Sequence, residues 1–527
     1  MSRLQSVCLL ALAAALPLLT PRAALAQRPR NSEPAANSAA EEKTPPIPTE
    51  TTSVTDHDLT LDGKTIHYKA TAGTLLIDNE EEKPYGIVFY VAYTLAGVSD
   101  PASRPVTFLY NGGPGSASLW LHMGSVSPVR VITASPDATG AGPYKLVPNQ
   151  YSLLDKTDLV FVDAVGTGFS RPVGKAAIKD FAGTDQDVRA FARFIQRYIT
   201  LNHRWNSPKF LMGESYGTTR SAALADALEN DGTSCNGVIL VSSILNYYAH
   251  APGMDFVYIG YLPSYAAIAW HYEKVPHKGR DEKTFLDEAR AFARGPYSEA
   301  LEQGQNLPQA QVDAMAAKLA GFTGLSVQFI KEANLRISPT RFRKELMRDQ
   351  RIILGRYDAR FEGTDADAAG ENPGYDPSST GITGAFVSAF QDYLDRELKY
   401  TSTETYYPRG PNVNRDWDES HHAPGMGGGP GGPGRAMREA YVAGDLADAM
   451  RKNPHLKVFS ANGLFDLATP FFITEYDLSH MELDAKLRGN VEFGYYHSGH
   501  MIYLNVDALK QLKSDLAGFY SRTLASD

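Results

Sequence analysis

The chain reads as an α/β protein with a mostly parallel central sheet, helices on both faces and an inserted helical cap. Three observations predict this. Short apolar runs at residues 105–110, 157–162, 209–212 and 238–241 alternate with segments of helical period, the pattern of a parallel sheet buried on both sides. The run at 209–212 enters Gly213-Glu214-Ser215-Tyr216-Gly217 and leaves through a helical segment at 218–228, so a G-x-S-x-G motif sits on a strand–turn–helix. The alternation stops near Tyr247, gives way to helical and irregular sequence, and resumes after Arg435.

Residues 1–26 read as a secretory signal. Arg3 supplies the charge, residues 8–19 the apolar run, and Ala24-Leu25-Ala26 the small-x-small cleavage site before Gln27. The apolar run is short for a bilayer span, the alternative reading. Of the two cysteines, Cys8 leaves with the signal and Cys235 stays, so no internal disulfide is expected. Residues 27–55 are rich in Pro, Ser, Thr, Ala and Glu and read as a disordered linker.

Order is predicted from residue 56. Residues 59–70 form a hairpin about Asp62-Gly63, and 74–78 and 85–93 continue it. The core's first part runs to 246. The insertion spans 247–434, with helices predicted at 281–294, at 308–320 ending on Gly321, from Ser338-Pro339 to 347, and at 384–398; residues 425–434 are a Gly/Pro-rich loop. The second part of the core, 435–527, holds a helix at 436–452, strands at 456–461 and 491–496, and a closing helix at 506–524.

The 527 residues, 43% of them hydrophobic, suffice for a large core. The formal charge of −9 comes with no basic stripe, which argues against nucleic acid. No Cys/His cluster has zinc spacing. Asp365-Ala366-Asp367 with Gly370 and Asp376 echoes a calcium loop only faintly, with alanine at one ligand position and no closing glutamate. No metal or cofactor is expected.

The chemistry centres on Ser215. A serine on so tight a turn needs small neighbours two positions away, which Gly213 and Gly217 supply. Asn111-Gly112-Gly113-Pro114-Gly115 follows an early strand and allows close approach of backbone N–H groups. A serine nucleophile also needs a base and an orienting acid. Asp466 and His500 follow late strands; Asp477, inside a predicted helix, is a rival acid, and His497 a rival base. Tyr258, Tyr261, Tyr265, Trp270 and Tyr272 either pack the cap or line an apolar site, and His421-His422 reads as an exposed loop pair.

These motifs together resemble the serine carboxypeptidases, peptidase family S10. The matching stretches are Asn111 to Gly115, Val162-Asp163 with Gly166-Thr167-Gly168-Phe169-Ser170, Gly213 to Gly217, Asn462-Gly463 with Asp466, and Gly499-His500-Met501. The resemblance implies an α/β-hydrolase fold with a helical cap, and it selects His500 over His497. It implies Ser215, His500 and Asp466 as catalytic residues and the N–H groups of Gly113 and Tyr216 as the oxyanion hole. It also implies that Asn111 and Glu214 bind the substrate's terminal carboxylate, which requires a protonated Glu214. The sequence departs from the family at Leu109, Ser116 and Ser125, where a tryptophan, a cysteine and a second glutamate are usual. The divergence resembles a bacterial branch.

The reading that follows is an exported enzyme, periplasmic or extracellular, acting on peptide or protein C-termini with no stable membrane anchor after signal cleavage. An esterase or acyltransferase on the same scaffold, and a catalytically dead binding protein, are the alternatives.

Overall fold

The computed structural model describes residues 45–276, 279–424 and 436–525. The predicted signal segment and the Gly/Pro-rich loop at 425–434 lie outside the described residues. The helix Val506–Ala525 closes the described chain.

A ten-stranded sheet organises the described chain. Its path runs Thr52–Leu61, Lys64–Asp78, Pro84–Leu95, Asp158–Val162, Val106–Tyr110, Lys209–Glu214, Gly237–Val241, Lys457–Gly463, Val491–Tyr496, with the short Arg171–Pro172 paired to Pro84–Leu95. From Asp158–Val162 onward every pairing is parallel. The first three strands form an antiparallel meander joined antiparallel to the rest. The opening hairpin turns at Asp62-Gly63, where both residues hold positive φ (47° and 76°), as a turn matched to strand twist demands.

The parallel strands separate two cores by simple alternation. Phe108, Tyr110, Val160, Val162, Leu211, Val238 and Leu240 point to one face, where they meet the helices Thr184–Leu201, Tyr216–Asn230 and Ala443–Lys452. Leu109, Leu159, Phe161, Phe210, Met212 and Ile239 point to the other, against Leu119–Gly124, Pro377–Arg396 and Val506–Ala525. Burial on both sides explains the mostly apolar runs.

The inserted helices Phe256–His271, Glu282–Phe292, Gln309–Thr323, Val327–Glu332 and Pro339–Glu345 share a third cluster with Leu464, Phe465 and Phe471. Tyr261 and Tyr265 are buried in it, and Tyr258, Trp270 and Tyr272 pack against it, so these aromatics serve the cap's core.

Several boundaries differ from expectation. The first strand begins at Thr52, and Glu50 accepts hydrogen bonds from the Leu76 N–H and from Arg197, both at 2.7 Å; the end of the 27–55 linker is therefore structured, tied down by a long-range bond that composition does not show. The predicted helix at 308–320 runs to Thr323 and is capped by Gly324 in the left-handed region (φ 70°), not by Gly321. The helix predicted at 384–398 is Pro377–Arg396, N-capped by Asp376. It packs on the sheet face and not in the cap, although it falls inside the 247–434 segment. The helix predicted from 436 begins at Ala443.

Candidate active site

The predicted site residues lie where parallel strands end, the usual location for ligands in such sheets. Asn111 follows Val106–Tyr110, Ser215 follows Lys209–Glu214, Asp466 follows Lys457–Gly463 and His500 follows Val491–Tyr496. Asn111, Gly113, Glu214, Ser215, Tyr216 and His500 all line one cleft of about 360 Å³.

Ser215 stands at φ 61° and ψ −129°, a strained conformation for a residue with a side chain. It is half-buried at the N-terminus of the helix Tyr216–Asn230, where the helix dipole favours negative charge. The turn leaves no room for larger neighbours. A Cβ at Gly213 would lie 2.0 Å from the Gly217 carbonyl oxygen, and one at Gly112 2.4 Å from the Tyr216 nitrogen. The glycine loop is thus laid directly on the elbow, which brings the Gly113 and Tyr216 segments together.

A buried ion pair beneath holds this arrangement. Arg220 is bonded through Nε to Asp187 at 2.7 Å and donates through Nη1 to the Asn111 carbonyl at 2.9 Å. The Tyr216 hydroxyl donates to the same Asp187 at 2.9 Å. Neither Arg220 nor Asp187 stands out in sequence; the only signal is a charged residue on the apolar face of each helix.

Asp466 is fully buried. Its Oδ1 accepts the N–H groups of Ala468 (2.7 Å) and Thr469 (3.0 Å), while Oδ2 lies 2.8 Å from His500 Nδ1 and 2.8 Å from Thr469 Oγ1. This matches an acid that orients an imidazole. Burial disfavours a charged His500, but the charge and hydrogen bond of Asp466 outweigh it and raise the pKa above its ordinary value. The ring is also fixed from its backbone, whose N–H donates to the Tyr357 carbonyl at 2.6 Å. The rivals are engaged elsewhere: His497 pairs with Glu282 at 2.9 Å, and Asp477 accepts from Asn246 at 3.3 Å.

Glu214 is buried, and Asn111 Nδ2 donates to its Oε1 at 2.9 Å. The amide's orientation is set because Asn111 Oδ1 accepts the Leu121 N–H at 2.8 Å. Burial pushes the Glu214 carboxyl up to about 7; His500, Tyr503 and Asn111 pull it down, and Asp466 adds to the rise. Among the described residues neither its Oε2 nor the Tyr503 hydroxyl makes a hydrogen bond of good geometry, although the Tyr503 hydroxyl lies close enough to act on the carboxyl. Tyr503 escaped sequence reasoning. Its ring fills the space beside Gly124, where a Cβ would come within 2.4 Å of it. Ser125, at the position of the missing second glutamate, is fully buried and donates to the Leu121 carbonyl.

One further expectation changes, and two open alternatives are decided. His421 is buried and not an exposed loop residue, because Nδ1 meets Asp185 at 2.6 Å and Nε2 meets Asp445 at 3.0 Å; only His422 is exposed. Asp365, in the calcium-like segment, forms a buried ion pair with Lys344 at 2.5 Å. The cleft walls come from Trp120, Ile382, Arg356, Tyr357, Arg409 and Asn414, not from the cap tyrosines.

Residues 62–247 match the family model described as serine carboxypeptidase. That span includes Asn111, Gly113, Glu214, Ser215 and Tyr216 but neither Asp466 nor His500. A pheromone-processing carboxypeptidase KEX1 of Cryptococcus gattii is 28% identical over 191 residues, covering 35% of this chain and 27% of that protein. The serine carboxypeptidase-like 45 of Arabidopsis thaliana is 25% identical over 167 residues, 31% of this chain and 32% of its own. The alignments thus span about a third or less of either relative. The crystal structure of KEX1(delta)p, a prohormone-processing carboxypeptidase from Saccharomyces cerevisiae, superposes with a TM-score of 0.54 at 16% identity, over 86% of this chain and 91% of that one. The fold is therefore that of the α/β hydrolases.

Proposed function

We propose that this chain is an exported serine carboxypeptidase. Ser215 Oγ attacks the carbonyl carbon of the C-terminal peptide bond. His500 takes the hydroxyl proton and returns it to the departing amine, while Asp466 holds the ring and stabilises its charge. The N–H groups of Gly113 and Tyr216 receive the oxyanion. Water then hydrolyses the acyl-enzyme by the same proton route in reverse.

The observation that carries the exopeptidase reading is the Asn111–Glu214 pair. Asn111 fixes Oε1 as an acceptor, so the proton of a neutral Glu214 sits on Oε2, beside Tyr503 and without a well-formed hydrogen bond among the described residues. A neutral carboxyl there donates a hydrogen bond to a substrate carboxylate, whereas an ionised one repels it. Burial, with a smaller contribution from Asp466, keeps the proton on below about pH 7, without the second glutamate that Ser125 replaces.

The curated relatives are fungal and plant proteins; assignment to a bacterial branch rests on Leu109, Ser116 and Ser125. Export rests on the N-terminal sequence pattern. Among the described residues no helix is long and apolar enough to cross a membrane.

The test compares kcat/KM for a blocked peptide and its C-terminal amide across pH. Preference for the free acid below about pH 7, narrowing above it, is expected. Equal rates at every pH would exclude recognition of the carboxylate.

A further inference from the structure

We propose that the cleft selects peptides with an acidic side chain beside the scissile bond, held by Arg356 and Arg409. This deepens the carboxypeptidase reading and rests on it.

Both arginines line the cleft that holds Ser215 and His500. They approach it from different walls. Arg356 directly precedes Tyr357, whose carbonyl accepts the His500 N–H and whose ring centroid is 5.2 Å from the imidazole. Arg409 belongs to the segment that bridges to Ser116 in the glycine loop. The reacting serine therefore lies in a cleft with one guanidinium on its histidine wall and one on its glycine-loop wall.

Neither cation has a carboxylate within ion-pair distance among the described residues. Arg356 lies over the Tyr357 ring at 5.4 Å, and Arg409 reaches only Ser379 Oγ, at 3.4 Å. Other arginines of the insertion are paired: Arg360 with Asp358 at 2.6 Å, Arg336 with Asp255 at 2.6 Å and Arg290 with Glu475 at 2.9 Å. The only acidic side chain on the cleft lining is Glu214, which is bonded to Asn111 and neutral in the acidic range. The cleft lining thus presents two guanidiniums without an ion pair beside the apolar surfaces of Trp120, Ile382 and Met501; the Asp376 carboxylate, which accepts the Arg356 backbone N–H at 2.9 Å, lies 3.6 Å from Arg343. The substrate's terminal carboxylate is already provided for by the buried Asn111–Glu214 pair. The two exposed guanidiniums remain for a side-chain carboxylate, which a planar fork binds through paired hydrogen bonds.

The experiment measures kcat/KM on the full protein with blocked dipeptides. Glu, Gln or Lys is placed in turn at the last and next-to-last positions. Glu over Gln by about tenfold at one position or both is expected, with Lys poorest and the preference shrinking as salt is added. R356Q and R409Q each lower the Glu:Gln ratio, and the double variant brings it to about one. A wild-type ratio of one, or a ratio unchanged in the double variant, overturns the proposal. The second result includes a uniform loss on all peptides, which assigns the arginines to the terminal carboxylate. Cleavage without acid preference sinks this inference alone; no cleavage of any peptide sinks the carboxypeptidase reading with it.

Discussion

Arg220 donates a hydrogen bond to the main-chain carbonyl of Asn111 at 2.9 Å from a fully buried position. One side chain on the elbow's helix thereby locks the loop that carries Gly113 to the helix that starts at Tyr216. The guanidinium is stacked on Phe191 at 4.1 Å and neutralised by Asp187 at 2.7 Å. Its planar fork serves several partners at once, which an ammonium cannot.

Replacing Arg220 by Met leaves Asp187 buried without its counter-charge. A loss of about 3–5 kcal/mol in folding stability is expected, read by urea denaturation. Arg220→Lys keeps the charge but not the reach to Asn111. It should fold, with kcat/KM reduced by about tenfold or more because the proposed oxyanion donors, Gly113 and Tyr216, lose their registry.

Glu214 couples activity and stability to pH. Its carboxyl is raised from an ordinary 4.5 to about 7, so the folded state holds a proton that the unfolded chain releases earlier. The contribution is complete below the unfolded value and is lost as pH rises from there through about 7. Glu214→Gln cannot titrate. Thermal melts should show the variant gaining on the wild type between pH 5 and 8, by at most about 3 kcal/mol. Its kcat/KM for free-acid peptides should lose the alkaline fall that Glu214 imposes.

The sheet was legible because its strands are buried on both faces: residues 105–110, 157–162 and 238–241 are mostly apolar, broken only by Thr107, Thr157 and Asp158, and the structure has strands there. Gly112, Gly213 and Gly217 were legible because backbone contact leaves no alternative residue at those points. What escaped depends on contacts across long sequence distances. His421 is buried by Asp185 and Asp445, which lie on two different helices. Pro377–Arg396 has the same helical character as the cap helices, and only tertiary contacts assign it to the sheet. Arg356 and Arg409 carry no motif; their interest lies in the absence of a carboxylate partner among the described residues, which only the fold reveals. The signal and linker readings rest on composition, and apart from residues 45–55 they fall outside the described chain.

The His500–Asp466 hydrogen bond of 2.8 Å predicts strongly non-additive kinetics if Ser215 is the nucleophile. Ser215→Ala and His500→Ala should each lower kcat by about 10⁶-fold, and the double variant should be no worse than either. Asp466→Asn should cost about 10⁴-fold, because the amide favours the wrong tautomer of the imidazole. His497→Ala should leave kcat near wild type, since that ring is tied to Glu282 at 2.9 Å. Steady-state kinetics on one peptide decide the set. A multiplicative double variant would show that Ser215 and His500 do not act as a unit.

His421 fastens the segment that forms one wall of the cleft. That segment bridges to Ser116 through Arg409 and to Gly168 through Tyr407, and its Trp417 packs edge-on against Tyr216 with centroids 5.0 Å apart. Burial opposes a charge on His421, but the bonds and charges of Asp185 and Asp445 outweigh it and raise the pKa to about 9. His422 shares Asp185 at 2.6 Å. A raised histidine stabilises the fold fully below its unfolded value near 6.5 and loses that contribution as pH climbs through about 9. His421→Gln should therefore cost about 2 kcal/mol at pH 6 and progressively less toward pH 10, in chemical denaturation across pH. Limited proteolysis at pH 6 should cut the variant faster between Tyr407 and Ser420, where the wall is released. An identical pH profile for variant and wild type would mean that the imidazolium does not hold the segment.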